Sequence, residues 1–455
     1  MKDFTPEYLE HMRGVIKAHD AEQARELLQD LHPADIAELY QSLELEEAEF
    51  LYELLDEETA ADVLMELDED DRLKLLEDMP SEEIAKQIEH LDTDDAVDII
   101  QQLDREERDE VLSHIDDVEQ AGDIIDLLKY DEDTAGGLMG TEMIVVNENM
   151  SMPECIKEMR MQAEEIDEIY YVYVVDDDQK LCGIFPLQKM ITHPSVSKIK
   201  HVMDTDPVSV KADTPIDEVA LDFEKYDLVA MPVVDSIGRL LGRITVDDVM
   251  DQVRESSERD YQLASGLSSD VDADDSILAQ TKARIPWLLI GIASGILASI
   301  ILGGFEDQLH AVTALALFIP IIGGTGGNVG VQASAIVVQG LANGSLNIGQ
   351  FTKQLGRELL IGLLNASVLS GVILCYNLIV LPGQLAVTLS VACSLFVVVL
   401  FATLLGTFVP LTLEKLKINP ALATGPFIQI SNDIMGLLIY VWVSGLFLSL
   451  FAPGI

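Results

Sequence analysis

Residues 419–451 read NPALATGPFIQISNDIMGLLIYVWVSGLFLSLF, and the character of the whole chain turns on this stretch. From Ala421 to Phe451 it is apolar and longer than the roughly 20 residues a membrane-crossing helix needs. It carries one carboxylate, Asp433. A bare acid in the bilayer costs roughly 3 kcal/mol on insertion scales, so it is expected to face a cavity, a partner or an ion. Thr424 to Asp433 is about 13 Å of helical rise, which puts the acid well inside. No other acid is expected inside a membrane helix, and no base within the apolar cores. A passing cation is then the expected partner of Asp433.

Four more apolar segments precede it, at 285–304, 311–341, 355–381 and 385–413, each long enough to span. Lys282 and Arg284, Lys353 and Arg357, and Lys415 and Lys417 fall in alternate connections, whereas FEDQLH and LPGQ contain no Lys or Arg. By the positive-inside rule the N-terminus is expected in the cytoplasm and the C-terminus outside. The second segment contains PIIGGTGGNVGVQASAIVVQGLANG. Glycines in this number serve close helix packing or line a water-filled path. In the second reading Pro320 and the glycines break the helix and free carbonyls, Gly324 and Gly327 among them, beside the Asn328 amide. Segment five opens on a matching break at Pro420, Gly425 and Pro426, followed by Asn432 and Asp433.

Charge divides the chain sharply. Of 28 bases and 80 acids, all but six bases and five acids precede Ser276, leaving 22 bases against 75 acids in residues 1–275. So acidic a body repels nucleic acid and anionic headgroups, and its own compaction is opposed until cations relieve the repulsion. The four cysteines are scattered with no CxxC pair, which fits reduced apolar residues rather than a disulfide framework or zinc site. The polar start MKDFTPEYLE lacks the pattern of a cleavable signal peptide.

Within the acidic part, Leu31, Leu43, Leu55, Leu67, Met79, Leu91, Leu103 and Ile115 recur every twelve residues, mostly followed by LDEET-like caps. Each unit predicts a short helix opened by Asp, Ser or Thr with acids in its first turn. Stacked, such helices make a superhelix with one apolar seam. Most of the acids then form a solvated face; the functional reading is a loose surface for hard divalent cations, which prefer oxygen ligands.

From Ala135 strands and helices alternate, and the segment repeats. EIYYVYVVDDDQKLCGIFPLQKM matches LVAMPVVDSIGRLLGRITVDDVMDQV some sixty residues later. This resembles a tandem pair of CBS domains, modules that commonly sense an adenine nucleotide. Thr245 and Asp248 match the family's T-x-x-D; the first copy lacks it, and Thr245 also suits a helix N-cap. ATP is therefore a possible ligand of the pair. DDVMDQVRESSERDYQLASG predicts one amphipathic helix, and SSDVDADDS a flexible acidic linker.

The expected fold is a multidomain membrane protein. It comprises an α-helical superhelical repeat domain (1–130), an α/β CBS pair (137–198 and 199–256), a connecting plug helix with its linker (247–275), and an all-α five-helix transmembrane domain (276–455). This order, with GGTGGN and PAxxxGPFxxxxxDxxG, resembles the MgtE family of magnesium transporters along essentially the whole chain. The resemblance implies a homodimer in the cell membrane whose pore is lined by segments two and five, with Asp433 holding a largely hydrated Mg²⁺. It also implies closure by cytosolic Mg²⁺ bound among Asp62, Asp94 and Asp98, then Asp217, Asp227, Asp248 and Asp251, and Asp260 on the plug. Three positions depart from the family pattern. Val331 replaces a second Asn after GGN, Asn419 stands where an acid commonly precedes Pro-Ala, and Arg259 falls where relatives can carry an acid.

Two other readings compete. An ion-coupled secondary transporter of Co²⁺ or Mn²⁺ needs a second membrane acid or His to relay a proton. A nucleotide sensor with a passive anchor does not need Asp433. No nucleophile–base pair points to an enzyme.

Overall fold

The computed structural model describes residues 4–451 apart from 30, 78, 164, 165, 167, 193–196, 270, 272, 274, 306–311, 347, 348 and 350. The acidic linker and the loop between the first two membrane segments therefore lie partly outside the described residues. The chain falls into two compact units, Met1–Val253 and Arg254–Ile455.

In the first unit the twelve-residue period becomes a helical stack. Helices begin at Pro33, Leu45, Glu57, Glu69, Ser81, Thr93 and Arg105, twelve residues apart, and then at Val118. Aspartates open several of them, as Asp56, Asp104 and Asp117 each accept first-turn backbone N–H groups. The recurring Leu, Met or Ile sits one residue before the cap of its helix, or two in the case of Ile115, and Leu31, Leu67, Leu91, Leu103 and Ile115 are buried. Helices two units apart pack on one another along the row Pro33–Gln41, Glu57–Glu66, Ser81–Ile88 and Arg105–His114, and Thr93–Gln102 packs on Val118–Leu127. The core is consequently one continuous seam.

Two sheets follow. In the first, β1 (Ile144–Asn147) runs parallel to β2 (Val172–Val175), which pairs antiparallel with β3 (Leu181–Phe185) and through it β4 (Asp204–Thr205). The second repeats the pattern with β5 (Val210–Lys211), β6 (Ala230–Val234) and β7 (Leu240–Thr245). The repeat extends to detail. Gly183 and Gly242 oppose Val174 and Val233, each next to a register shift. Both must be glycine, because a Cβ would meet a neighbouring carbonyl at 2.6 Å, that of Asp204 or of Gly140. The two copies join through their hairpin tips, where Leu181 N–H donates to Gly238 and Leu240 N–H to Gln179.

The long helix Val246–Ser265 leaves β7 directly. Five helices in the second unit are long and apolar enough to cross a membrane: Ile277–Gly304, Thr313–Ala342 (opening as a 3-10 turn), Phe351–Val380, Leu385–Lys415 and Gly425–Phe451. They are called the first to fifth spanning helices below. The fourth is the most enclosed and packs on the second, third and fifth. Tyr440 on the fifth donates its hydroxyl to the Leu315 carbonyl at 2.7 Å, pinning it to the opening turn of the second.

One expectation is corrected here. The glycine-rich second spanning helix is not broken: Ile319–Ala342 is one α-helix with Pro320 in its first turn. Proline there lacks only an N–H that would be orphaned anyway, and glycine weakens a helix without stopping it. The matching break expected in front of the fifth helix is present. Pro420–Ala423 is a 3-10 turn, Thr424 is extended and Gly425 takes φ 43°.

Candidate functional site

The glycine row of the second spanning helix sorts its members by what they face. A Cβ at Gly326 would meet Val398 of the fourth helix at 2.8 Å. At Gly330 it would collide with the Asn432 side chain, and at Gly406 with the Gly330 carbonyl. Gly406 and Gly330 thus bring the fourth and second helices together backbone to backbone, and Gly326 and Gly330 make room for the Val398 and Asn432 side chains, as small residues do in membrane bundles. Gly323 and Gly327 differ. The nearest atom to a Cβ at Gly323 would be Asp433 Oδ1 at 3.6 Å, and Gly327 would have the same oxygen at 3.6 Å and Gln429 Cγ at 3.3 Å. Gly324 faces open space, and Asn328, one turn along from it, is exposed. Asp433 thus lies against bare helix backbone, on a face that continues into exposed amides.

Asn432 goes elsewhere. Successive helical residues are about 100° apart, so the neighbour of Asp433 turns into the helix contact. It is 1% exposed, and neither side-chain atom has a hydrogen-bond partner. It fills the space Gly330 leaves rather than sharing the Asp433 face, contrary to the expectation that both line one path.

Two further acids fall within the spanning helices, against expectation: Glu414 in the last turn of the fourth, and Glu358 in the third. The third begins at Phe351, so Lys353, Arg357 and Glu358 are helical, and Glu358 is buried, accepting from Gln354 Nε2 at 3.4 Å.

In the first unit, the helix Thr93–Gln102 breaks the capping rule. Asp92 makes no cap bond; Glu142 instead accepts from Thr93 N–H at 3.0 Å. Asp92 Oδ2 accepts from the buried Arg243 guanidinium at 3.3 Å, which also lies 5.7 Å over the Tyr170 ring. One carboxylate oxygen each from Asp92, Asp94 and Glu142 lies within 4.8 Å of the others. Gly140 allows this, since a Cβ would meet Glu142 Oε2 at 2.9 Å and Asp94 Oδ2 at 3.0 Å. Asp95 and Asp248 add to the charge. Burial, then repulsion from Asp248, Asp92 and Asp98, pushes Asp95 up to about 7. Burial and the same neighbourhood raise Asp94 well above the usual carboxylate range, and burial raises Asp248. Three carboxylates so close are the donor set a hard divalent cation takes.

The comparisons with known proteins agree with this layout. Residues 319–443 match the family described as "Divalent cation transporter", 31–133 the "MgtE intracellular N domain", and 135–194 and 199–255 the "CBS domain". The chain is 36% identical over 329 residues to the magnesium transporter MgtE of Thermus thermophilus, covering 71% of this chain and 72% of that one. The chain belongs to the MgtE family. Its members are transporters, not enzymes, and this one is a multi-pass membrane protein. The Bacillus subtilis MgtE is 32% identical over 322 residues, 71% of each chain. A crystal structure described as the cytosolic domain of the Mg²⁺ channel MgtE in complex with ATP superposes with a TM-score of 0.51 at 32% identity, covering 54% of this chain and 99% of that one.

Among the acids that the MgtE resemblance nominated, the structure brings Asp94 and Asp248 together. Asp62, Asp98, Asp217, Asp227 and Asp251 are exposed on their helices or helix ends, outside the Asp92–Asp94–Glu142 group. Asp260 bonds to Asn419, one of the three departures from the MgtE pattern. Thr245 and Asp248 close on each other, the carboxylate accepting from Thr245 N–H at 3.2 Å and from its hydroxyl. Both bonds run from Thr245 to the carboxylate, so Asp248 reaches back to the start of the helix, and the N-cap bond expected of the Thr245 hydroxyl is not the one made. Sequence reasoning missed Asp92, which looks like every other cap aspartate of the repeat, and Glu142, which has no local signature. It also missed Gln429, although its spacing of four from Asp433 was legible.

Proposed function

We propose that this MgtE protein conducts Mg²⁺ through a path lined by the second and fifth spanning helices, with the ion held as its hydrate at Asp433. The carrying observation is the placement of Asp433 Oδ1 against the bare backbone of Gly323 and Gly327, beside the exposed Gly324 and Asn328. Mg²⁺ sheds water reluctantly, and a carboxylate on a wall without side chains leaves room for the hydration shell. In a homodimer two copies of Asp433 would neutralise one divalent ion. The distribution of bases supports an inside N-terminus and outside C-terminus.

Regulation follows from the acidic unit. Cytosolic Mg²⁺ bound at Asp92, Asp94 and Glu142, with Asp95 and Asp248 alongside, relieves repulsion and favours the closed state. When Mg²⁺ falls, the carboxylates drive the parts apart and the path opens. Asp62, Asp98, Asp217, Asp227, Asp251 and Asp260 would supply further, looser contacts. A relative's cytosolic domain is described in complex with ATP, and ATP is the proposed ligand of this CBS pair. The recess lined by Tyr170, Tyr171, Tyr173 and Arg243 is the place to seek it, since Thr245 and Asp248 already satisfy each other.

The test is Mg²⁺ uptake into proteoliposomes and growth of a transport-deficient strain. Asp433→Ala should abolish both with insertion intact; wild-type uptake would sink the pore assignment. Glu358 favours a second reading, ion-coupled transport of Co²⁺ or Mn²⁺, because it is a buried membrane acid able to relay a proton. A pH gradient that drives uptake in the wild type but not in Glu358→Gln would establish that reading instead.

A further inference from the structure

One turn before Asp433 on the fifth spanning helix, Gln429 is exposed, and its side chain has no hydrogen-bond partner among the described residues. Its stem and the Asp433 carboxylate converge on one point of the second helix, at 3.3 Å and 3.6 Å from the Cβ position of Gly327. Asn328 is adjacent, and Gln332, one turn beyond, is exposed too. An amide bared inside a membrane domain is costly against lipid and is at home against water.

We propose that Gln429 positions the ion. Its amide oxygen accepts a hydrogen bond from a water of the hydrated cation whose charge Asp433 balances, so that the site spans about 6 Å of helix rather than a single carboxylate. This rests on the reading of Asp433 as the ion-holding group and adds a neutral second rung to it. Neutrality matters, because a second carboxylate at this spacing would hold a divalent ion too firmly to release it at speed.

The experiment measures Mg²⁺ uptake against Mg²⁺ concentration in proteoliposomes holding the full chain. The variants are Gln429→Ala, Gln429→Met, Gln429→Glu and Asp433→Asn, with thermal unfolding as the control for folding. Loss of one water-mediated hydrogen bond should raise the half-saturating concentration roughly three- to tenfold in the Ala and Met variants. Gln429→Glu should lower both the half-saturating concentration and the maximal rate, a pair of changes a merely structural role would not produce. If Asp433→Asn stops uptake while the Gln429 variants follow the wild-type curve, the second rung is wrong and the Asp433 site stands. If Asp433→Asn transports normally, the underlying reading falls, whatever Gln429 does. Should Gln429→Ala lose its fold, the Met and Glu variants decide.

Discussion

Asn419 Nδ2 donates to Asp260 Oδ1 at 2.8 Å, while Asn419 Oδ1 accepts from Ala421 N–H at 2.8 Å. One amide thus caps the 3-10 turn in front of the fifth spanning helix and holds the long helix Val246–Ser265. Around it the fit is close: a Cβ on Gly266 would meet Pro426 Cγ at 2.5 Å, and one on Gly425 would run into the Ala264 carbonyl. An acid at 419 would face Asp260 as a like charge and need a cation between them; asparagine makes the contact without one. In metal-free buffer Asn419→Ala should therefore speed proteolysis after Arg254 and Arg259. Asn419→Asp should make protection of that segment depend on millimolar Mg²⁺. Equal cleavage of all three proteins would refute the contact's role.

The acidic group predicts an inverted pH response. Asp94, Asp95 and Asp248 bind protons more tightly folded than unfolded, since burial and mutual repulsion raise them. The stability tied to Asp95 must then rise as pH falls below about 7, where Asp95 titrates, and level off at its low value above it. Without divalent ions the melting temperature should climb a few degrees from pH 8 to pH 6, following about 1.4 kcal/mol per proton per pH unit. Mg²⁺ should stabilise more at pH 8 than at pH 6, and Asp95→Asn should flatten the profile. A melting temperature that falls over this range contradicts the assignment.

Arg243 is the counter-charge of the group, buried and bonded to Asp92. Breaking a fully buried pair costs ~3–5 kcal/mol; the Asp92 side chain is 42% exposed, so screening reduces this to about 2 kcal/mol. Arg243→Met should lower the melting temperature in chelator and recover more of it with Mg²⁺ than the wild type gains. An equal Mg²⁺ increment in both proteins would show that Arg243 does not balance these acids.

The glycines should separate by substitution. Gly406→Ala drives a methyl into the Gly330 carbonyl, and Gly330→Ala drives one into Asn432. Overpacking of this kind costs ~1–3 kcal/mol and should cut the yield of monodisperse protein in detergent. Gly324→Ala meets nothing within 4 Å and should purify like the wild type. Identical behaviour of the three variants would disprove the division into packing and path-facing positions.

Much of this protein was legible along the chain because the signals are local. A twelve-residue period with aspartate caps needs only neighbours in sequence, and the observed helices start where it places them. Apolar length identified the five spanning helices, and the duplicated V-V-D…G…G pattern the paired sheets. The expected helix break failed because Pro320 alone does not reveal whether it opens a helix or interrupts one.

What only tertiary structure decided are contacts between segments far apart in sequence. Asp92 and Glu142 lie fifty residues apart and meet only because Gly140 packs beside Arg243 on β7. Asn432, Asp433 and Gln429 read alike as polar residues in one apolar run. The packing of three helices at Gly330 buries the first and leaves the other two facing Gly327. Sequence determined that an acid enters the membrane; the fold determined which glycines it faces and which amide stands beside it.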